Sequence, residues 1–63
     1  MYTVIIYNKM NNEINRFERP TIQRVENTIR FFARSIQGRW ARVENSEGFQ
    51  VAYGDDIKIH WEK

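Results

Sequence analysis

Residues 20–38, PTIQRVENTIRFFARSIQG, form the stretch that decides the fold. Its apolar side chains recur at the spacing of an α-helix and share one face about 100° wide. Pro20 suits the first turn of a helix, where its missing N–H costs nothing, and Gly38 suits a helix end. The pattern therefore predicts an amphipathic helix over about 20–37. Its expected apolar face comprises Ile22, Val25, Ile29, Phe32, Ala33 and Ile36.

Two strands are predicted before this helix. Residues 2–7, YTVIIY, are almost wholly β-branched or aromatic, which favours a strand. Residues 8–12 are rich in Asn, which favours a turn, and a more polar strand follows at about 13–19. Its apolar residues Ile14 and Phe17 are three apart, so strict alternation fails and a bulge or an edge position is expected.

Three short strands are predicted after the helix, at 39–44, 49–53 and 57–62. Turns separate them at 45–48 (NSEG) and 54–56 (GDD). In the last strand, alternation points Ile57, Ile59 and Trp61 inward and Lys58, His60 and Glu62 outward. The order β-β-α-β-β-β predicts a single α+β domain over 1–63, with one helix packed across an antiparallel sheet.

Composition excludes several classes of protein. A chain of 63 residues without Cys has no disulfide, no Cys-rich zinc module and no thiol chemistry. Its hydrophobic content of 41% is too high for a disordered chain. The longest uncharged apolar run, residues 2–7, is far shorter than the roughly 18 residues of a membrane span, and no signal peptide is apparent. We therefore expect a cytoplasmic protein without a membrane partner.

Catalytic groups are scarce. Neither Ser35 nor Ser46 lies in a recognisable nucleophile motif, and His60 is the single histidine. Asp55-Asp56 is interpreted as a solvated turn, and a pair such as His60 and Glu62 falls short of the three or four ligands of a zinc site. The sequence predicts no enzyme activity, no cofactor and no metal.

The outer face of the predicted helix is a candidate binding surface. It carries basic and amide side chains opposite the apolar face, and Phe31 lies among them, well off that face. Arginine and aromatic side chains together are common at binding hot spots. The alternative is an ordinary solvated face, with Phe31 shielded by a loop or by the first hairpin. The candidate residues are Arg24, Asn27, Arg30, Phe31 and Arg34, next to Gln23.

Trp40 is a second candidate, with Arg42 beside it. If Ala41 and Val43 face the helix, both candidates lie on the opposite face of the sheet, where Arg16 can join them. Alternatively, Trp40 closes the end of the core just after Gly38. The choice depends on which side of the sheet each residue takes, which sequence leaves open.

A single short helix cannot cover both faces of such a sheet. Tyr2, Ile5, Tyr7 and Trp40 cannot all lie beneath it, so some apolar surface should be exposed or shared. This favours a homodimer or a partner interface. An unpaired edge strand could form such an interface too, by pairing with a strand of the partner.

Two function hypotheses follow. The first is a non-catalytic protein-binding module, a regulator or inhibitor that masks a partner's surface. In size, in its many Asn, Ile, Lys and Arg residues and in its lack of catalytic groups, the chain resembles small proteins of phages and mobile elements, which often act by binding a host or defence protein. The second is nucleic-acid binding by the basic helix face. The net charge of only +2 weighs against it, because carboxylates oppose attraction to phosphate.

Overall fold

In the computed structural model, which describes residues 1–62, the chain begins with an antiparallel hairpin of strands β1 (Tyr2–Tyr7) and β2 (Glu13–Arg19). The side-chain oxygen of Asn8 accepts the backbone N–H groups of Met10 and Asn12, which holds the intervening turn. Opposite β1, the register skips Ile14, so β2 contains the predicted bulge. The bulge explains why Ile14 and Phe17 do not alternate.

Helix α1 (Ile22–Phe32) follows β2 and begins at Thr21, whose hydroxyl accepts the backbone N–H of Arg24. Burying one face of this amphipathic helix against the sheet creates the hydrophobic core. The helix contributes Val25, Ile29 and the capping residue Ala33 to that core, all fully buried. The sheet contributes Val4, Ile6, Ala41, Val43 and Ala52.

The predicted helix bounds of 20–37 were wrong at both ends. Pro20 precedes the N-cap, and α1 ends at Phe32, after which residues Ser35–Gln37 form a separate 3-10 turn that Gly38 closes with a φ of 74°. The physical cause is tertiary. The carbonyl of Ala33 accepts the N–H of Asp56, from the turn between the last two strands. In a longer helix, this carbonyl would instead accept an N–H from the next helical turn. Ile36, predicted to face the core, is 87% exposed.

Strands β3 (Trp40–Glu44), β4 (Gln50–Gly54) and β5 (Ile59–Trp61) complete a five-stranded sheet in the order β2-β1-β3-β4-β5. All four pairings are antiparallel. The predicted α+β class, the element order and the single helix packed across the sheet are confirmed. Strands β2 and β5 are the two edges of the sheet.

The last strand is shorter than predicted. Ile57 lies in the preceding turn and is 79% exposed, because Asp55 Oδ1 accepts the N–H groups of Ile57 and Lys58 and so bends the chain there. Ile59 and Trp61 pack against the core, as predicted. Phe49 precedes β4 rather than belonging to it and is exposed.

Candidate binding surfaces

The seven candidate residues lie on two opposite sides of the molecule. Ala41 and Val43 face the helix, which places Trp40 and Arg42 on the other side of the sheet. We call this side, which α1 does not cover, the open face. The remaining five candidates lie on α1 or directly after it, so the structure does not unite them with Trp40 and Arg42 in one site.

Five side chains form a row across the whole open face. Each is the direct cross-strand neighbour of the next, one from each strand. Tyr53 and His60 are adjacent in this row, with their ring centroids 5.2 Å apart. In strand order, the row is Arg16, Ile5, Arg42, Tyr53 and His60.

Tyr7 and Trp40 stack beside this row. Their rings lie 4.5 Å apart at an interplanar angle of 18°, and the Trp40 indole N–H donates to Asn11 Oδ1 at 3.1 Å. Asn11 is positioned by a left-handed backbone with a φ of 64° in the β1–β2 turn. Trp40 therefore lies half-buried on the open face and does not close the core beneath the helix.

The arginines of the open face are engaged by neighbouring groups. Arg16 makes a two-pronged hydrogen bond to Glu13, at 2.9 and 3.1 Å. This bond lowers the pKa of Glu13 and raises the pKa of Arg16. Arg42 pairs with Glu44 at 3.0 Å, and its guanidinium carbon is 5.7 Å from the centroid of the Tyr7 ring. Each of these two cations is thus paired with a carboxylate, although the buried Nε of Arg42 has no hydrogen-bond partner within residues 1–62.

Polar and acidic residues occupy the remaining edge of the open face. Thr3 lies between Glu18 and Glu44 in the register, and Gln50 follows Glu44. Ile5 is fully buried although no helix covers it. The open face is therefore a mixed aromatic and polar surface around one buried aliphatic side chain.

On the helix side, Phe31 is the exposed aromatic that its position off the apolar face predicted. It is 72% exposed and meets Phe32 edge-on, with ring centroids 4.9 Å apart. Phe32 in turn lies 4.5 Å from Phe17 on β2. Within residues 1–62, no loop or hairpin shields Phe31, so it presents an apolar surface next to Phe32.

Two of the three candidate arginines on this side have carboxylate partners. Arg30 lies 3.7 Å from Glu26, which also accepts the indole N–H of Trp61 at 2.8 Å. Arg34 was predicted to lie on the outer helix face, which is wrong, because α1 ends before it. Its Nε instead donates to Asp56 at 3.2 Å.

Arg24 and Asn27 line a groove of about 440 Å³ between α1 and β2. The groove contains two arginines and no carboxylate. Its lining residues are Arg19, Thr21, Gln23, Arg24, Asn27 and Thr28. This cationic groove is distinct from the open face.

Asp55 and Asp56 have structural roles in the turn between β4 and β5. Asp56 Oδ1 accepts the backbone N–H of Ser35 at 2.8 Å, which is the main reason that the pKa of Asp56 is lowered. Arg34 adds to that effect. No group of three or more His, Cys, Asp or Glu side chains able to hold a metal ion occurs within residues 1–62.

Sequence reasoning did not select Tyr7 and Tyr53 as site residues. Tyr7 neighbours Trp40, and Tyr53 neighbours Arg42, only through strand pairing. The available signal was one tyrosine near the end of each of these predicted strands, and it shows a shared face only once the register is known.

In comparisons with known proteins, no protein-family model, no curated protein and no solved structure matches this chain. Among the described residues, no helix has the length and apolar character needed to cross a membrane.

Proposed function

We propose that the protein is a small non-catalytic protein-binding module, a regulator or inhibitor that masks the surface of a partner protein. The observation that carries this proposal is the cluster of Tyr7, Trp40, Arg42 and Tyr53 on the open face. Trp, Tyr and Arg are the residue types that contribute most to binding energy at protein interfaces.

This cluster is held in place before any partner binds. Trp40 is stacked on Tyr7 and hydrogen-bonded to Asn11, and Arg42 is anchored by Glu44. Side chains that are already ordered lose less conformational entropy on association. Tyr53 is 43% exposed and supplies the accessible aromatic surface.

The charges of the open face favour a protein over a nucleic acid. Arg16 and Arg42 are each paired with a carboxylate, and Glu18 adds a further negative charge. Neighbouring carboxylates weaken the attraction of such a surface for a phosphate backbone. The opposite face offers less positive charge than its arginines suggest, because Arg30 and Arg34 are also paired.

The test is quantitative capture of partner proteins by the tagged 63-residue chain, from lysate of the cells that encode it. We expect Tyr53→Ala and Trp40→Ala to weaken binding of a captured partner by about tenfold or more, because a hot-spot truncation costs about 2 kcal/mol. Phe49→Ala is the matched control, since Phe49 is an exposed aromatic that precedes β4 and is not a member of the cluster. Circular dichroism establishes that each variant remains folded.

Unchanged affinity in both open-face variants would contradict the proposal. A second arm measures fluorescence anisotropy with random duplex DNA, single-stranded DNA and RNA at about 50 and 200 mM salt. Binding that collapses with salt, and that is lost in an Arg24→Glu/Arg30→Glu variant, would establish the nucleic-acid alternative instead. Sedimentation analysis identifies the case in which the partner is a second copy of the chain.

A further inference from the structure

The groove between α1 and β2 contains a guanidinium that is already oriented. Arg19 donates from Nε to Thr28 Oγ1 and from a terminal nitrogen to the carbonyl of Glu18, each at 2.8 Å. Its guanidinium carbon is 4.9 Å from the centroid of the Phe17 ring. A cation held on three sides can bind an anionic group with little further loss of side-chain entropy.

Arg24 lies on the same groove and adds a second positive charge. Within residues 1–62, no carboxylate forms an ion pair with Arg19 or with Arg24. These two cations differ in this respect from Arg16, Arg30, Arg34 and Arg42. The charge of the groove is therefore complementary to an acidic ligand.

The face of α1 that lines the groove with Arg24 and Thr28 continues beyond it toward Phe31, two helical turns after Arg24. Thr28 contacts Arg19, and Phe32, one turn later in α1, contacts Phe17, which is earlier in β2. The helix α1 therefore runs antiparallel to β2. Arg24 and Phe31 are seven positions apart in the helix, about 10 Å along its axis, which corresponds to roughly three residues of an extended chain. A cationic end and an apolar end thus lie along one edge of the sheet.

That edge also offers backbone hydrogen-bonding groups. β2 is an outer strand, and beyond the bulge at Ile14 its segment 15–19 pairs with β1 in regular register. An extended peptide can add to such an edge, with backbone bonds supplying affinity and alternate side chains supplying specificity. A nucleic acid would use the two arginines but not the strand edge.

We infer that this groove binds an extended acidic segment of a partner protein, which adds beside β2 with a carboxylate near Arg19 and Arg24 and an apolar side chain near Phe31. This goes beyond the open-face proposal, because the groove lies on the other side of the sheet. Antiparallel addition, the commoner arrangement, places the acidic residue before the apolar one. Since same-face side chains recur at every second residue, the spacing is two or four residues.

The experiment selects linear random peptides, long enough to span β2, on the immobilised 63-residue chain. We expect enrichment of peptides with Asp or Glu two or four residues before an aromatic or branched apolar residue. Arg24→Gln should weaken binding of a selected peptide by about tenfold, the effect of losing a charge-assisted hydrogen bond. Lys58→Gln is the control, because it removes one exposed positive charge from the far end of the sheet and should leave affinity unchanged.

Nuclear magnetic resonance with a selected peptide locates the site. Amide shifts and slowed amide exchange are expected at residues 15–19 and not at Tyr53. Selection without acidic enrichment, equal affinities of Arg24→Gln and Lys58→Gln, or amide shifts confined to the open face would each overturn the inference. Tighter binding of single-stranded RNA or DNA at this groove would also overturn it, as would a dimer joined through β2.

The two proposals fail separately. Tyr53→Ala should leave peptide affinity unchanged, and Arg24→Gln should leave capture through the open face unchanged. If one substitution leaves its own activity intact while the other substitution weakens the activity assigned to it, the first surface was assigned wrongly and the second assignment stands.

Discussion

Arg19 on β2 donates a 2.8 Å hydrogen bond to Thr28 on α1, and the Thr28 hydroxyl donates in turn to the carbonyl of Arg24 at 2.8 Å. Thr28 is only 5% exposed. The chain of two bonds joins an edge strand to the helix, and it fixes one wall of the cationic groove against the other. It thereby links the stability of the domain to the orientation of a cation that we assign to binding.

Replacing Thr28 tests this link. Thr28→Val keeps the shape of the side chain but leaves the Arg19 Nε–H without its acceptor, so we expect a loss of about 1–3 kcal/mol in the free energy of unfolding. Thr28→Ser keeps the hydroxyl and should lose only the burial of one methyl group, about 1 kcal/mol. Urea unfolding measures both. Unchanged stability of Thr28→Val would show that the hydroxyl contributes nothing.

Ile5 should behave as a core residue although it lies on the open face. It is fully buried beneath its neighbours, so Ile5→Ala should cost about 2–5 kcal/mol. Ile36→Ala, at an 87% exposed position, should change stability by no more than about 0.5 kcal/mol. Chemical denaturation of both variants compares them directly. A small effect at Ile5 would mean that the open face is loosely packed.

Gly54 is required where β4 turns toward β5. Its φ is 149°, and a Cβ there would overlap the carbonyl oxygen of Lys58 and lie 2.8 Å from the Cα of Ile59. Gly54→Ala should therefore displace β5 and lower the melting temperature. Gly48→Ala should cost only the left-handed backbone penalty, about 1–2 kcal/mol, because nothing lies near its Cβ position. If the two variants melt alike, the close approach at Gly54 has no energetic effect.

Asp56 makes stability depend on pH. Its pKa is lowered in the folded protein, chiefly by the backbone N–H of Ser35, so its carboxylate stabilises the fold above the ordinary Asp pKa of about 3.9. This contribution is lost as the pH falls through the lowered value. We expect Asp56→Asn to reduce the melting temperature at pH 7, and the difference from wild type to shrink as the pH falls below about 4.

Arg34→Gln is the matched control for Asp56, because it removes the secondary partner and keeps the bond from Ser35. Its effect on the melting temperature at neutral pH should be smaller than that of Asp56→Asn. A difference between Asp56→Asn and wild type that stays constant from neutral to acidic pH would contradict the assigned role of the carboxylate.

Local patterns were sufficient to predict the elements of the fold. The helical spacing of Val25 and Ile29 and the alternation of Ala41 and Val43 follow from backbone geometry, which repeats every 3.6 residues in a helix and every two in a strand. The exposure of Phe31 followed from the same helical geometry. These features depend on neighbours within a few positions, so the sequence carries them directly.

Contacts between distant segments decided the rest. The end of α1 depends on Asp56, which is distant in sequence. Its backbone N–H donates to the carbonyl of Ala33, and its carboxylate accepts the N–H of Ser35. The row that joins Arg42 to Tyr53 depends on strand order and register. Several pairings of the same strands preserve the same alternation, and burial of the complete core selects one of them. Local sequence therefore determines the helix and the strands, whereas the binding surfaces form only when the strands have paired and the helix has packed on them.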